Sequence, residues 1–235
     1  MIHLLALAKL PGEDFAYHYA TDDIEAFFKK KDELANVPEQ VRSLISIHVI
    51  KTSSKDFESI QRMDPYFAGT TEVKSLQAFI ERLQRKSSLT SVDVAGFIER
   101  RYQLNAFQLQ KILYYVYADL LIQFKRSPFI ANFLAYERGP VDREVYRINK
   151  YEHDALIMDT GFDQKIFTVK NGELYSETID RVVRTYEKYF ASAWNDESKN
   201  LTHKSGTPWD RAHKRGNNKP ISDKDILNYH HLETI

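Results

Sequence analysis

Residues 201–216 read LTHKSGTPWDRAHKRG and carry side chains that chemistry often uses: a hydroxyl and an imidazole at Thr202-His203, a second imidazole at His213, and several cations. A threonine hydroxyl becomes a nucleophile when a base takes its proton and a third group orients that base. Adjacent side chains in a helix or strand point apart, and no orienting acid stands near Thr202-His203. The better reading of His203 is a ring hydrogen-bonded to loop backbone. His203 with His213, and the adjacent His230 and His231, lack further histidine or carboxylate partners at ligand spacing, so no metal is expected. The chain also has no phosphate loop, dinucleotide fingerprint, HExxH helix or GxSxG turn. Neither catalysis nor a cofactor is expected.

The same stretch reads well as structure. Thr207 is a capping hydroxyl, Pro208 takes the first helical position where its missing N–H costs nothing, and Asp210 is an acid in the first turn. Trp209 is then expected to bury its ring. Ser222 and Asp225 repeat the capping pattern before a last helix. Lys214 and Arg215 fit a helix end, where cations meet the negative pole of the dipole. Arg138, just before Gly139-Pro140, stays open: it is either an exposed turn residue or a rigidly mounted anchor beside Tyr136.

The elements that would hold these residues follow from periodicity. NAFQLQKILYYVYADLLIQF opens with Asn105 and Gln108 at capping-box spacing, and Leu109, Ile112, Leu113, Val116, Leu120 and Phe124 form an apolar stripe. It is expected to be the spine of a core. A short helix, SVDVAGFIERRY, precedes it. PFIANFLAYERGPV reads as a strand ending in a turn, with Pro140 holding Gly139 out of the α region and Asp142 capping DREVYRIN. Residues 156–175 hold two β-rich runs and an Asn171-Gly172 turn signal, which predict a small β ribbon. Ile179, Val182, Val183, Tyr186 and Phe190 restore helical spacing.

A polar stretch, RKSSLT, separates this region from the first 88 residues. There TDDIEAFFKKKDELA predicts a helix capped by Thr21, and LISIHVIK is the best strand candidate. Val73, Leu76, Phe79, Ile80 and Leu83 recur at helical spacing. The expected fold is α+β and predominantly α-helical: a small α/β or α+β module over residues 1–88, then a helical domain with a β ribbon over residues 89–235.

Whole-chain properties narrow the function. The 235 residues are 43% hydrophobic with 14 Tyr and 14 Phe, a folded composition. No apolar run is long enough to span a membrane, MIHLLALAK lacks the basic leader and apolar length of a signal peptide, and there is no cysteine. The expected compartment is the cytoplasm. Lys and Arg balance Asp and Glu at 33 each, which disfavours general nucleic-acid binding. Locally, residues 199–219 carry six Lys or Arg against Asp210 alone, a segment suited to an acidic partner.

Four ordered segments, VAGFIERRY, FQLQKILYYVYADLL, YERGPVDREVYR and LTHKSGTPWDRA, resemble the Panacea domain, a family of bacterial and phage antitoxins. The resemblance runs from about Leu89 onward and leaves the first 88 residues as an extension suited to partner specificity. Tyr136-Glu137 departs from the tryptophan that many members carry before the GPV turn. The resemblance implies a non-enzymatic antitoxin that neutralises a toxin encoded beside it by direct binding. The expected toxin-binding surface is Tyr136, Arg138, Gly139, Pro140, Val141 and Tyr146, with Thr202, His203 and Trp209 close by. The alternatives are an adaptor that hands the toxin to a protease, an enzyme working on nucleotides or on the toxin through His203, and a DNA-binding autoregulator using the basic segment.

Overall fold

The computed structural model describes residues 1–193, 196 and 199–235, which divide into two compact units, Met1–Ser87 and Ser88–Ile235. The fold is α+β and predominantly helical.

In the first unit, β1 (Ile2–Leu10) and β2 (Glu13–Thr21) form a hairpin, followed by α1 (Ile24–Ala35), α2 (Glu39–Arg42), β3 (Ser46–Lys51), α3 (Phe57–Met63), β4 (Thr71–Val73) and α4 (Leu76–Ser87). The sheet order is β3-β1-β2-β4, antiparallel except for β2 with β4. Both faces of the central pair, β1 and β2, are covered. Leu4, Ala6, Ala8, Phe15 and Tyr17 pack with Phe27, Leu34, Val41, Phe79 and Leu83, while Leu5, Leu7 and Ala16 pack with Phe57, Ile60 and Phe67. A strand buried on both faces reads as a continuous apolar run, not as an alternation. The opening residues, an unbroken apolar run, accordingly form an interior strand. Helix α1 is capped by Asp23, which accepts from Glu25 N and Ala26 N, and not by the expected Thr21. Thr21 ends β2, and its hydroxyl accepts from Asp23 N instead.

The second unit contains α5 (Ser91–Tyr102), α6 (Ala106–Phe124), a hairpin of β5 (Phe133–Tyr136) and β6 (Gly139–Asp142), α7 (Arg143–Tyr151), α8 (His153–Met158), α9 (Gly161–Lys165), α10 (Glu173–Ala193), α11 (Pro208–His213) and α12 (Asp223–Tyr229). Capping boxes open α5 at Thr90/Asp93 and α6 at Asn105/Gln108. Helix α6 is the spine: every residue from Gln108 to Ala118 is buried, against α5, α7, α10, α12 and β6. At Gly96 a Cβ would lie 2.8 Å from Leu156 O, so glycine lets the backbones of α5 and α8 approach.

The expected ribbon over residues 156–175 is absent; that segment forms α8, α9 and a 3-10 turn at Ile166–Thr168. Tertiary contacts outweigh its β propensity. Phe162 stacks on Phe97 with centroids 4.3 Å apart, and Lys165 reaches the buried Asp93 at 2.7 Å. The β ribbon of this unit is β5–β6.

Candidate functional site

The site is built around the turn that joins β5 to β6. Tyr136 pairs with Gly139, leaving Glu137 and Arg138 at the tip. Gly139 has φ of +111°, and a Cβ there would be driven into Lys111 Nζ and to 2.7 Å from Thr202 Oγ1. Glycine is needed on both counts. The turn carbonyls face inward and are satisfied by side chains from three distant segments. Lys111 Nζ donates to Arg138 O at 2.5 Å and weakly to Pro140 O at 3.4 Å, Asn200 Nδ2 donates to Arg138 O at 3.3 Å, and Trp209 Nε1 donates to Tyr136 O at 2.8 Å.

Lys111 is 1% exposed and has no carboxylate within ion-pair distance among the described residues. Burial pulls its pKa down to about 7, against a smaller opposing pull from Glu233. The inward carbonyls thus hold a lysine whose charge is easily lost. Glu233 is itself fully buried: its carboxylate accepts from Tyr114 OH at 2.6 Å and pairs with His230 Nδ1 at 2.7 Å, and its carbonyl accepts from Tyr115 OH at 2.6 Å. Burial alone would lower the His230 pKa, yet Asp119 at 3.4 Å and Glu233 together lift it to about 9.

Thr202 and His203 diverge, as adjacent residues should. Thr202 is fully buried; its hydroxyl donates to Asn200 Oδ1 at 2.8 Å, and its carbonyl accepts from Thr207 Oγ1 at 2.6 Å. A hydroxyl so enclosed is fixed in a structural role. His203 lies flat on Trp209 with centroids 3.8 Å apart, and Trp209 stacks in turn with His213 at 4.6 Å. Thr207 caps α11 through Asp210 N, as the sequence suggests, and the Trp209 ring is buried.

The outer side of the turn is different. Asn132, Tyr136, Arg143, Glu144, Tyr146 and Arg147, with Tyr151, line an open groove of about 500 Å³. The Tyr136 and Tyr146 rings lie 5.9 Å apart, Tyr146 is 41% exposed, and Lys150 sits over the rings of Tyr146 and Tyr151. Asp142 fixes the wall: it accepts from Asn132 N, Glu144 N and Val145 N, and its own N–H donates to Gln110 Oε1. Helix α7 therefore leaves the hairpin in one direction.

The residues singled out from sequence thus separate into two sets. Gly139, Pro140, Thr202 and Trp209 are buried and hold the turn, His203 stacks on Trp209, and Val141 is half-buried. Arg138 is exposed at the tip, and Tyr136 and Tyr146 line the groove. Sequence reasoning missed Lys111, Asn200, Arg143, Arg147 and Tyr151. Lys111 had a signal: it is a cation between Leu109 and Ile112 in a helix apolar nearly all round. Asn200 had none, since its role depends on a contact 62 residues away.

Much of the charge in residues 199–219 is met within the unit. Lys214 pairs with Asp210 at 2.7 Å, Arg211 and Arg215 both reach Asp225, and Lys199 lies 3.4 Å from Asp196. Lys214 is the C-cap of α11 and Arg215 follows it, so both stand at the helix end where the sequence placed them and form these ion pairs as well. Comparison with protein-family models, curated proteins and solved structures returns no match. Among the described residues, no group of His, Asp and Glu is placed to hold a metal ion, and no helix is long and apolar enough to cross a membrane.

Proposed function

We propose that residues 88–235 form a non-catalytic antitoxin domain, working in the cytoplasm, that neutralises a toxin encoded beside it by direct binding. The observation that carries this reading is the convergence of three of the four resembling segments on one turn. Lys111, Asn200 and Trp209 fix the backbone of that turn, and its outer side continues into a groove of tyrosine and arginine. These two residue types are enriched among the contacts that dominate protein interfaces, because each combines a large apolar body with directional polar groups. A turn held by buried hydrogen bonds loses little freedom on binding, so more of the contact energy appears as affinity. Tyr136, Arg138, Tyr146 and Arg147 make the contacts in this reading, and Gly139, Pro140, Thr202 and Trp209 shape the surface.

The test is growth of cells expressing the neighbouring open reading frame alone and with this protein. Growth arrest relieved by co-expression is expected, with Arg138→Ala and Tyr146→Ala lowering affinity in a pull-down while leaving the melting temperature unchanged. A harmless neighbour, or a lethal one that stays lethal beside well-expressed protein, contradicts the reading. Rescue accompanied by loss of the toxin from the cell would identify an adaptor to a protease.

A further inference from the structure

The first unit leaves one long edge of its sheet open. Strand β3 stands at the end of the order β3-β1-β2-β4 and is paired on one side, with β1. Just beyond that ladder Met1 and Thr52 exchange both backbone hydrogen bonds, Met1 N donating to Thr52 O at 2.9 Å and Thr52 N to Met1 O at 3.2 Å. In an antiparallel ladder such bonded pairs recur at every second residue. Carried along the register, the alternation makes His3↔Ile50, Leu5↔His48 and Leu7↔Ser46 the bonded pairs. The N–H and C=O groups of Ile47, Val49 and Lys51 therefore point away from β1, out of the open edge.

The side chains beside this row are apolar and uncovered. Ile47 lies opposite Ala6 and Val49 opposite Leu4, so both project from the sheet face on which α1 packs. Leu4 and Ala6 are fully buried there, whereas Ile47 is 44% and Val49 56% exposed. Helix α1 adds to the same surface. Lys30 sits over the Tyr19 ring, which turns that flank of α1 toward β2. Helical residues advance by about 100° each, so Ile24 and Phe28 emerge on the opposite flank, toward β1 and β3. They are 60% and 54% exposed. An apolar patch beside a row of unpaired backbone groups is a template for another strand.

We propose that the strand is β3 of a second copy of this chain, paired antiparallel about a two-fold axis at Val49. Val49 then meets Val49 of the second copy, and Ile47 meets Lys51 on either side. Every outward N–H and C=O of these three residues gains a partner, and two four-stranded sheets become one of eight strands. No like charges stand directly opposite, because Lys51 lies against Ile47, where its methylene stem packs. The formal net charge of zero leaves no long-range repulsion between copies. A strand from another protein would satisfy the backbone but leave Ile24 and Phe28 in water. A second copy brings its own α1 to the same face of the joined sheet, with both apolar flanks turned toward the axis. Such an isologous contact closes at two copies. The inference concerns the first unit and stands independently of the antitoxin reading.

Sedimentation equilibrium of the full chain over about 1–100 µM tests this by mass action. Association to the mass of two 27.5 kDa chains is expected. Val49→Lys sets two ammonium groups against each other at the axis and alters a side chain that is more than half exposed. It is expected to weaken association about tenfold or more while leaving the melting temperature of dilute protein unchanged. Phe167→Lys, which replaces a 90% exposed ring in the other unit, is expected to associate as the wild type does. Amide exchange gives the signature of the edge: Ile47, Val49 and Lys51 become protected as concentration rises, whereas His48 and Ile50 are protected throughout. The chain has no cysteine, so Val49→Cys introduces a single thiol. Bonded antiparallel pairs have Cα atoms about 5.5 Å apart, so oxidation is expected to link two copies through it. A monomer at every concentration, a dimer undiminished by Val49→Lys, or one lost in Phe167→Lys would overturn the proposal. So would association without new protection at residues 47, 49 and 51. If Val49→Lys fails to fold, the absence of a Val49→Cys cross-link overturns it instead.

Discussion

Lys111 and His230 sit in one buried region of the second unit and titrate in opposite senses. Lys111 falls from 10.5 in the unfolded chain to about 7 in the fold, so between those values the unfolded state binds more protons and stability rises with pH. His230 rises from 6.5 to about 9, so its contribution is complete below 6.5 and is lost as pH climbs through 9. The two slopes oppose each other between pH 7 and 9, where each alone approaches ~1.4 kcal/mol per pH unit. Denaturant unfolding across that interval is expected to show Lys111→Met losing stability as pH rises and His230→Gln gaining it, with the wild type between them. Parallel curves for all three would remove both groups from the account. A second residue-scale comparison uses glycine. Gly139→Ala incurs a positive φ and a collision with Lys111, whereas Gly12→Ala incurs only the positive φ, with nothing within 4 Å. The first is expected to lose about 1–3 kcal/mol more than the second by thermal unfolding.

At the scale of elements, the hairpin depends on a helix that starts 66 residues further along. Trp209→Phe keeps most of the buried ring but removes the N–H that satisfies Tyr136 O. An unsatisfied carbonyl costs about 1–3 kcal/mol, and the turn tip loses one of its three side-chain anchors. The expected result is a lower melting temperature together with faster amide exchange at residues 136–139. Exchange confined to α11 would mean that the turn stands without the helix. What the sequence revealed at this scale was what local chemistry dictates. The caps at Asn105, Asp142, Thr207 and Ser222 each act within three residues, and each was legible. The hidden features were decided by partners far away in sequence. Burial on both faces erased the alternation of β1, and Phe97 drew residues 156–168 into helix despite their β-branched runs. The site divided along the same line: the tip, Tyr136, Tyr146 and the groove arginines Arg143 and Arg147 stand in one segment, YERGPVDREVYR, whereas Lys111, Asn200 and Trp209 reach the turn only through tertiary placement.

At the scale of the whole molecule, each unit has a hydrophobic core of its own, and the division falls in the polar stretch that the sequence marked. Units with separate cores unfold as separate cooperative transitions unless a large apolar interface joins them. Calorimetry of the full chain is therefore expected to show two transitions, and residues 88–235 alone to keep their far-UV helical signal and the near-UV signal of the buried tyrosines. A single transition, or an unfolded fragment, would contradict this.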